Sequence, residues 1–319
     1  MKNLKLIITV FVVALLQVSI NAQEKKIKFD KGTLRICSSK NFQITGYDGN
    51  EVIIKSLHEK SKYNYYSNVN GRLTTTSQGQ FEVASTLSKS KKKGKDKKGS
   101  VVYYFGNQNR KKGLKKLGKK NENLELGIYF TIEERDGELI FQDNVPGKGQ
   151  VVMFGNESYE IKIPNSIKLK WETNGCVVKN EKNSQRVTAL FYNSNPSSLS
   201  DFNGEVEVQS TLNNIKLTDV TGPVSINTIG GNVTIEFDDK LPQKLYSIYS
   251  NNGFIDITLP AKAGISVDAT GRDIYSDIDF SVEDEKEDND FHHMKLKLNS
   301  GKSKMKLNAG LGNIYLRKK

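Results

Sequence analysis

Three histidines, His58, His292 and His293, are the scarce candidates for acid–base or metal chemistry in this 319-residue chain. His58 sits in a polar stretch, Leu57-His58-Glu59-Lys60. His292 and His293 follow an acidic run, Glu283 to Asp290, which reads as a loop. Its oxygens could hold Ca²⁺ loosely, but the run lacks the Asp-x-Asp-x-Asp-Gly spacing of a dedicated loop. Adjacent residues on a strand point to opposite faces, so both imidazoles would not meet one ion. No metal site is therefore expected. Asp256, Asp268 and Asp273 could gather as the acids of a polysaccharide lyase or hydrolase. Such acids serve more often as turn residues. The chain has no Gly-x-Ser-x-Gly, His-Glu-x-x-His or phosphate-loop pattern. No catalytic residue and no cofactor is implied. Tyr63, Tyr65 and Tyr66 could form a glycan-stacking ladder, with Tyr63 and Tyr65 on one face; core and edge packing is the preferred reading.

Charge supplies the other candidate. The formal net charge is +12, and Lys89 to Lys120 holds fourteen Lys or Arg against one acid, Asp96. That segment carries +13, which leaves −1 for the rest of the chain. Lys91, Lys92, Lys93, Lys97, Lys98, Arg110, Lys111, Lys112, Lys115 and Lys116 could grip an anionic glycan or lipopolysaccharide phosphates. Tyr103, Tyr104 and Phe105 could add stacking. A solvated loop that aids solubility is the plainer alternative. No nucleic-acid reading motif accompanies the charge, so specific nucleic-acid binding is not expected. A surface protein is a further partner class, and the oligomeric state is open.

The elements that must position such residues are repeats. Residues 203–238 divide into four blocks of nine: NGEVEVQST, LNNIKLTDV, TGPVSINTI and GGNVTIEFD. The fourth and sixth positions are apolar throughout: Val206/Val208, Ile215/Leu217, Val224/Ile226 and Val233/Ile235. Apolar residues two apart mark half-buried strands. The second position is Gly204, Asn213, Gly222 or Gly231, read as turn residues with φ > 0. The unit returns at Gly253-Phe254-Ile255-Asp256-Ile257, more loosely at Gly264-Ile265-Ser266-Val267, and at Gly312-Asn313-Ile314-Tyr315-Leu316. Short strands of this kind bury a continuous core only by stacking. The expected fold is all-β: a β-helix or β-solenoid of short strands with Gly/Asn turns, a single elongated domain over 28–319. The basic insertion at about 88–121 interrupts it. A β-sandwich of hairpins is the alternative.

These repeats resemble the bacterial putative-adhesin β-repeat family of exported, β-helix-like domains. Further shared features are the strands Ile161-Lys162-Ile163-Pro164 and Ile257-Thr258-Leu259-Pro260, the strand Ile167 to Trp171, and the closing unit Gly312 to Leu316. Asn41 to Lys55, turning at Tyr47-Asp48-Gly49-Asn50, fits an early repeat. The resemblance implies a surface or adhesion scaffold and no known chemistry.

The N-terminus reads as a secretory signal over 1–22. Lys2 and Lys5 precede an apolar run from Leu6 to Ile20, and Ala22 suits the position before the cut. The run is too short for a bilayer span. The mature chain is expected to begin at Gln23 and to be soluble outside the cytoplasm, in the periplasm, at the cell surface or secreted. Cys37 and Cys176 would then meet an oxidising milieu. If coils stack in chain order, five coils separate them by about 25 Å. A disulfide needs Cα atoms within about 7 Å. Two free thiols are expected. The function expected is a non-catalytic exported scaffold or adhesin-like binding protein; the alternative is a carbohydrate-active β-helix enzyme.

Overall fold

The structure, a computed structural model, describes residues 24–38, 40–57, 64–69, 72–77, 122–143, 149–154, 157–173, 187–192, 196–238, 240–288 and 290–319. For 64–69, 72–77, 149–154 and 187–192 it describes the strand pairing alone. The expected leader, His58, Tyr63, Cys176 and the whole insertion at about 88–121 lie outside the described residues.

Apart from one helical turn, α1 (Glu122–Glu125), the regular elements described are all strands. Sheet I runs β1 (Glu24–Lys28), β4 (Glu51–Ser56), β10 (Ser158–Pro164), β3 (Asn41–Tyr47), β13 (Ser197–Ser200), β15 (Ile215–Thr218), β17 (Val233–Glu236), β19 (Ile255–Leu259), β25 (Ile314–Lys318), β21 (Ile274–Ser276). Sheet II runs β22 (Ser281–Asp288), β23 (Phe291–Leu298), β20 (Ile265–Gly271), β24 (Ser303–Asn308), β18 (Tyr246–Asn251), β16 (Val224–Ile229), β14 (Val206–Thr211), β11 (Lys168–Glu172), β2 (Thr33–Cys37), β8 (Glu138–Asp143), β7 (Phe130–Arg135). A smaller sheet III runs β12 (Val187–Tyr192), β9 (Gly149–Phe154), β5 (Asn64–Val69), β6 (Arg72–Ser77).

The nine-residue blocks become strands β14 to β17. Successive blocks go to opposite sheets, so two blocks complete one circuit. Val206 pairs in parallel with Val224, and Ile215 with Val233. The inward residues of both sheets meet in one core that includes Val206, Val208, Ile215, Leu217, Val224, Ile226, Val233 and Ile235, all buried. Ser225, between two of them, is exposed. A parallel strand pair stacks identical positions, so a sequence repeat becomes a side-chain ladder. One such ladder is polar. Ser210 lies opposite Thr228, and Thr228 opposite Ser250. These hydroxyls are buried, and Ser250 donates to the Gly231 carbonyl at 3.0 Å.

The corner glycines are needed for a different reason from the one the sequence suggested. Positive φ falls one residue earlier, at Leu212, Gly230 and Asn252. At Gly231 and Gly253 the constraint is space. A Cβ on Gly253 would sit 2.1 Å from the Gly231 carbonyl oxygen, and one on Gly231 would sit 2.2 Å from that of Asn213. At Gly231 and Gly253 the stacked corners pass too close for a side chain.

Chain order and stacking order diverge at both ends. β24 lies between β18 and β20, and β25 between β19 and β21. The C-terminal unit is thus interior to the stack. Near the start, β10 lies between β3 and β4, parallel to one and antiparallel to the other. The turn at Tyr47 to Asn50 therefore passes over the end of β10. β1 begins at Glu24 and pairs with β4, so the fold starts before residue 28.

This interleaving overturns the expectation of free thiols. Cys37 is disulfide-bonded, and the chain has one other cysteine, Cys176. β2 and β11 are neighbours with Ile36 opposite Trp171, so position 37 lies beside position 172. The intervening chain builds β3, β4, β7 to β10 and part of sheet III, then returns. It does not add five coils between the cysteines.

The acidic run is also not a loop. Ser281 to Asp288 is β22, the antiparallel edge partner of β23. Lys295 and Lys297 on β23 approach Asp284 and Glu283 at 3.6 Å. A row of charges on an edge strand opposes pairing with another chain.

Candidate functional site

Of the three acids considered for catalysis, Asp268 stands in a different sheet from Asp256 and Asp273. Asp256 projects from β19 in sheet I, and Arg317 Nε of β25 donates to its Oδ1 and Oδ2 at 2.8 and 3.0 Å. Asp268 belongs to β20 in sheet II, with Oδ1 2.7 Å from His293 Nε2. Asp273 stands just before β21. The hydrophobic core separates the outward faces of the two sheets, so Asp256 and Asp268 cannot act on one glycosidic bond. His292 lies opposite Gly271, one position from His293 on the same strand. Among the described residues no group of three His, Cys, Asp or Glu side chains is arranged to hold a metal.

A buried ionic cluster escaped the sequence reading. Lys40 follows β2, Asp143 ends β8 and Glu157 precedes β10. Lys40 Nζ lies 2.7 Å from Asp143 Oδ1 and 3.2 Å from Glu157 Oε2. All three side chains are at most 8% exposed. Ser38 Oγ donates to Asp143 Oδ1 at 2.9 Å and accepts from the Lys40 amide at 3.1 Å. The indole N–H of Trp171 donates to the Ser38 carbonyl. Burial pulls the Lys40 ammonium down, yet Asp143 and Glu157 together hold it above the ordinary lysine value. Burial, reinforced by Glu157, pushes the Tyr159 phenol well above its usual range. β9 of sheet III leaves the stack after Asp143 and returns at Glu157, so Lys40 ties both roots of that excursion. The cluster was illegible because Lys40 is more than 100 residues from both acids in sequence.

A second polar region follows the carboxyl ends of the sheet I strands. Asp48, Asn165, Asp201, Asp219 and Asp238 each stand just after a strand, on successive turns. Asp48, Asn165, Asp201, Asp238, Lys240 and Lys262 help line a groove of about 630 Å³. Asp219 accepts from the amides of Asp238 and Lys240 at 2.8 and 3.3 Å. Lys240 Nζ donates to Asp201 at 2.8 Å, and Lys319 Nζ lies 2.8 Å from Asp238. The groove is a run of mixed charge in which each acid named with a lysine is already neutralised. The sequence signal was there: Asp201, Asp219 and Asp238 recur at near-constant spacing.

The ten basic residues considered for polyanion binding, Lys91 through Lys116, lie outside the described residues. Tyr65 and Tyr66 fall on β5.

No protein-family model matches the chain, and no curated protein matches it. Two solved structures are similar to it. One is a putative cell adhesion protein from Clostridium sporogenes, with 11% identity, 93% of this chain and 99% of that chain covered, and a TM-score of 0.37. The other is a putative adhesin from Bacteroides fragilis, with 10% identity, 93% and 98% coverage, and a TM-score of 0.33. Among the described residues no helix is long and apolar enough to cross a membrane.

Proposed function

We propose that this chain is an exported, non-catalytic scaffold of the adhesin-like β-repeat type, a two-sheet β-solenoid that binds surface molecules along its outer faces. The observation that carries this reading is the fate of the acids. Asp256 and Asp268 face away from each other across the core, each held by a basic partner, Arg317 or His293. Parallel strands alternating between sheets support the solenoid. The disulfide at Cys37 supports export, because such bonds persist in oxidising compartments. The basic residues Lys91, Lys92, Lys93, Lys97, Lys98, Arg110, Lys111, Lys112, Lys115 and Lys116 give the scaffold a site for polyanions such as lipopolysaccharide phosphates.

The test uses the mature chain from Gln23, incubated with a bacterial surface-polysaccharide extract. Co-sedimentation with no release of reducing ends or unsaturated products is expected. Steady release of either product would establish an enzyme and overturn the scaffold reading. Absence of any retention would overturn it as well.

A further inference from the structure

Across sheet I, one outward row runs Ser198, Lys216, Thr234, Asp256, Tyr315 and Tyr275 in register over β13, β15, β17, β19, β25 and β21. The row is small or charged until it reaches β25, where it turns aromatic. Tyr315 and Tyr275 stack with ring centroids 5.4 Å apart and planes 12° apart. Phe254 meets Tyr315 edge-on at 6.1 Å. Tyr275 is 50% exposed and Phe254 37% exposed. The Arg317 guanidinium lies 5.4 Å from the Tyr315 ring centroid and is fixed by its two bonds to Asp256. The Asn313 amide donates to the Tyr315 hydroxyl at 3.3 Å. Asp273 holds the Tyr275 phenol above its ordinary value, chiefly by its charge and also by a hydrogen bond.

Nothing in the core requires these rings, because Ile255, Ile257, Ile314 and Leu316 on the same strands already fill the inward face. β21 is the edge of sheet I, so among the described residues the ring of Tyr275 has Tyr315 on one side and no further strand on the other. A ring face carries negative charge density and attracts C–H groups polarised by adjacent oxygens. A pyranose with equatorial substituents offers such a C–H face inside a rim of hydroxyls. The rim would find Arg317, Asp256, Asn313 and Asp273, donors and acceptors already fixed in place.

The geometry points to a carbohydrate-binding platform on the outer face of Tyr275, backed by the stacked Tyr315 and by Phe254, specific for β-linked glucose or N-acetylglucosamine chains. It rests on the reading of the chain as a binding scaffold and supplies that scaffold with a ligand class. It is separate from the basic insertion, which would select polyanions by charge.

Calorimetry and saturation-transfer NMR on the mature chain would use cellohexaose, laminarihexaose and chitohexaose as probes, with heparin in parallel. At least one hexasaccharide should bind, with saturation transfer to ring C–H protons. Tyr275→Ala with Tyr315→Ala should weaken it by about tenfold or more, at an unchanged Tm. Tyr275→Phe, which keeps the ring face, should retain binding, as should Tyr249→Ala at an exposed tyrosine of sheet II. Heparin binding should be indifferent to all four substitutions. Failure of all three hexasaccharides, or equal binding by the double variant, overturns the platform. So does concentration-dependent self-association lost in the double variant while no sugar binds. Retention on surface polysaccharide that survives the double variant refutes the platform alone and leaves the scaffold reading standing.

Discussion

The strands over 197–259 and the segment over 260–319 use the same strand unit but assemble it differently. From β13 to β19 the chain climbs in order, and each strand from β13 to β17 pairs with the strand two further along. After β19 the order breaks. β20 and β21 are laid down one level further out, β22 and β23 close the edge of sheet II, and β24 and β25 then fill the gap left behind. A regular solenoid is held by nearest neighbours, so its stability is local. In the second region the last residues of the chain sit beneath earlier ones, and β20 keeps its full parallel pairing only if β24 arrives. Inserting the final unit makes the C-terminal end cooperative with the middle.

Removing residues 301–319 tests that comparison most severely. In a solenoid stacked in chain order, it would shave one terminal coil. Here it removes an interior level: β24, the shared partner of β18 and β20, and β25, the shared partner of β19 and β21. Loss of the folded state, seen as loss of the cooperative thermal transition, is expected; a modest fall in Tm would show that the two regions stack alike.

Within the regular coils, Val224→Asp places an unpaired carboxylate in the core and should cost about 4 kcal/mol or more, the range of exceptional single mutations. Ser225→Asp on the outer face should stay within about 0.5 kcal/mol. Denaturant midpoints read both, and equal effects would break the assigned register.

Lys40→Met probes the other departure from regularity, where sheet III leaves the stack. It strands two buried carboxylates and should cost about 3–5 kcal/mol. The pH dependence gives a second readout. Lys40, Tyr159 and Tyr246 all have values raised in the folded protein, so the unfolded chain loses these protons first. Their stabilising contribution is complete below about pH 10, the unfolded range. It declines as pH rises through the folded values. Urea titrations from pH 8 to pH 11.5 should show falling stability, with a shallower slope in Lys40→Met. A slope unchanged by the substitution would remove Lys40 from that account.

The smallest expected effect comes from deleting 89–120, which carries +13 of the charge. The Tm should hardly move, while salt-sensitive retention on heparin should disappear. Unfolding on deletion would instead make the insertion part of the cooperative unit.

The nine-residue period by itself determined the strands, their inward residues and the alternation of turns. Val206, Val224 and their equivalents take the same register position on successive strands, whichever strand lies alongside. Periodicity is a local property, and hydrophobic burial enforces it residue by residue. What the period could not determine was adjacency. The Gly312 unit has the same sequence character whether it ends the stack or enters it. Cys37 lies far from residue 172 along the chain yet beside it in sheet II, because intervening segments fold away and return. The platform of Tyr275, Tyr315 and Phe254 depends on β25 slipping between β19 and β21. The buried charges of Lys40, Asp143 and Glu157 depend on three separate chain crossings at one corner. Parallel pairing specifies that like strands meet, but which like strands meet is decided by how the whole chain closes its edges.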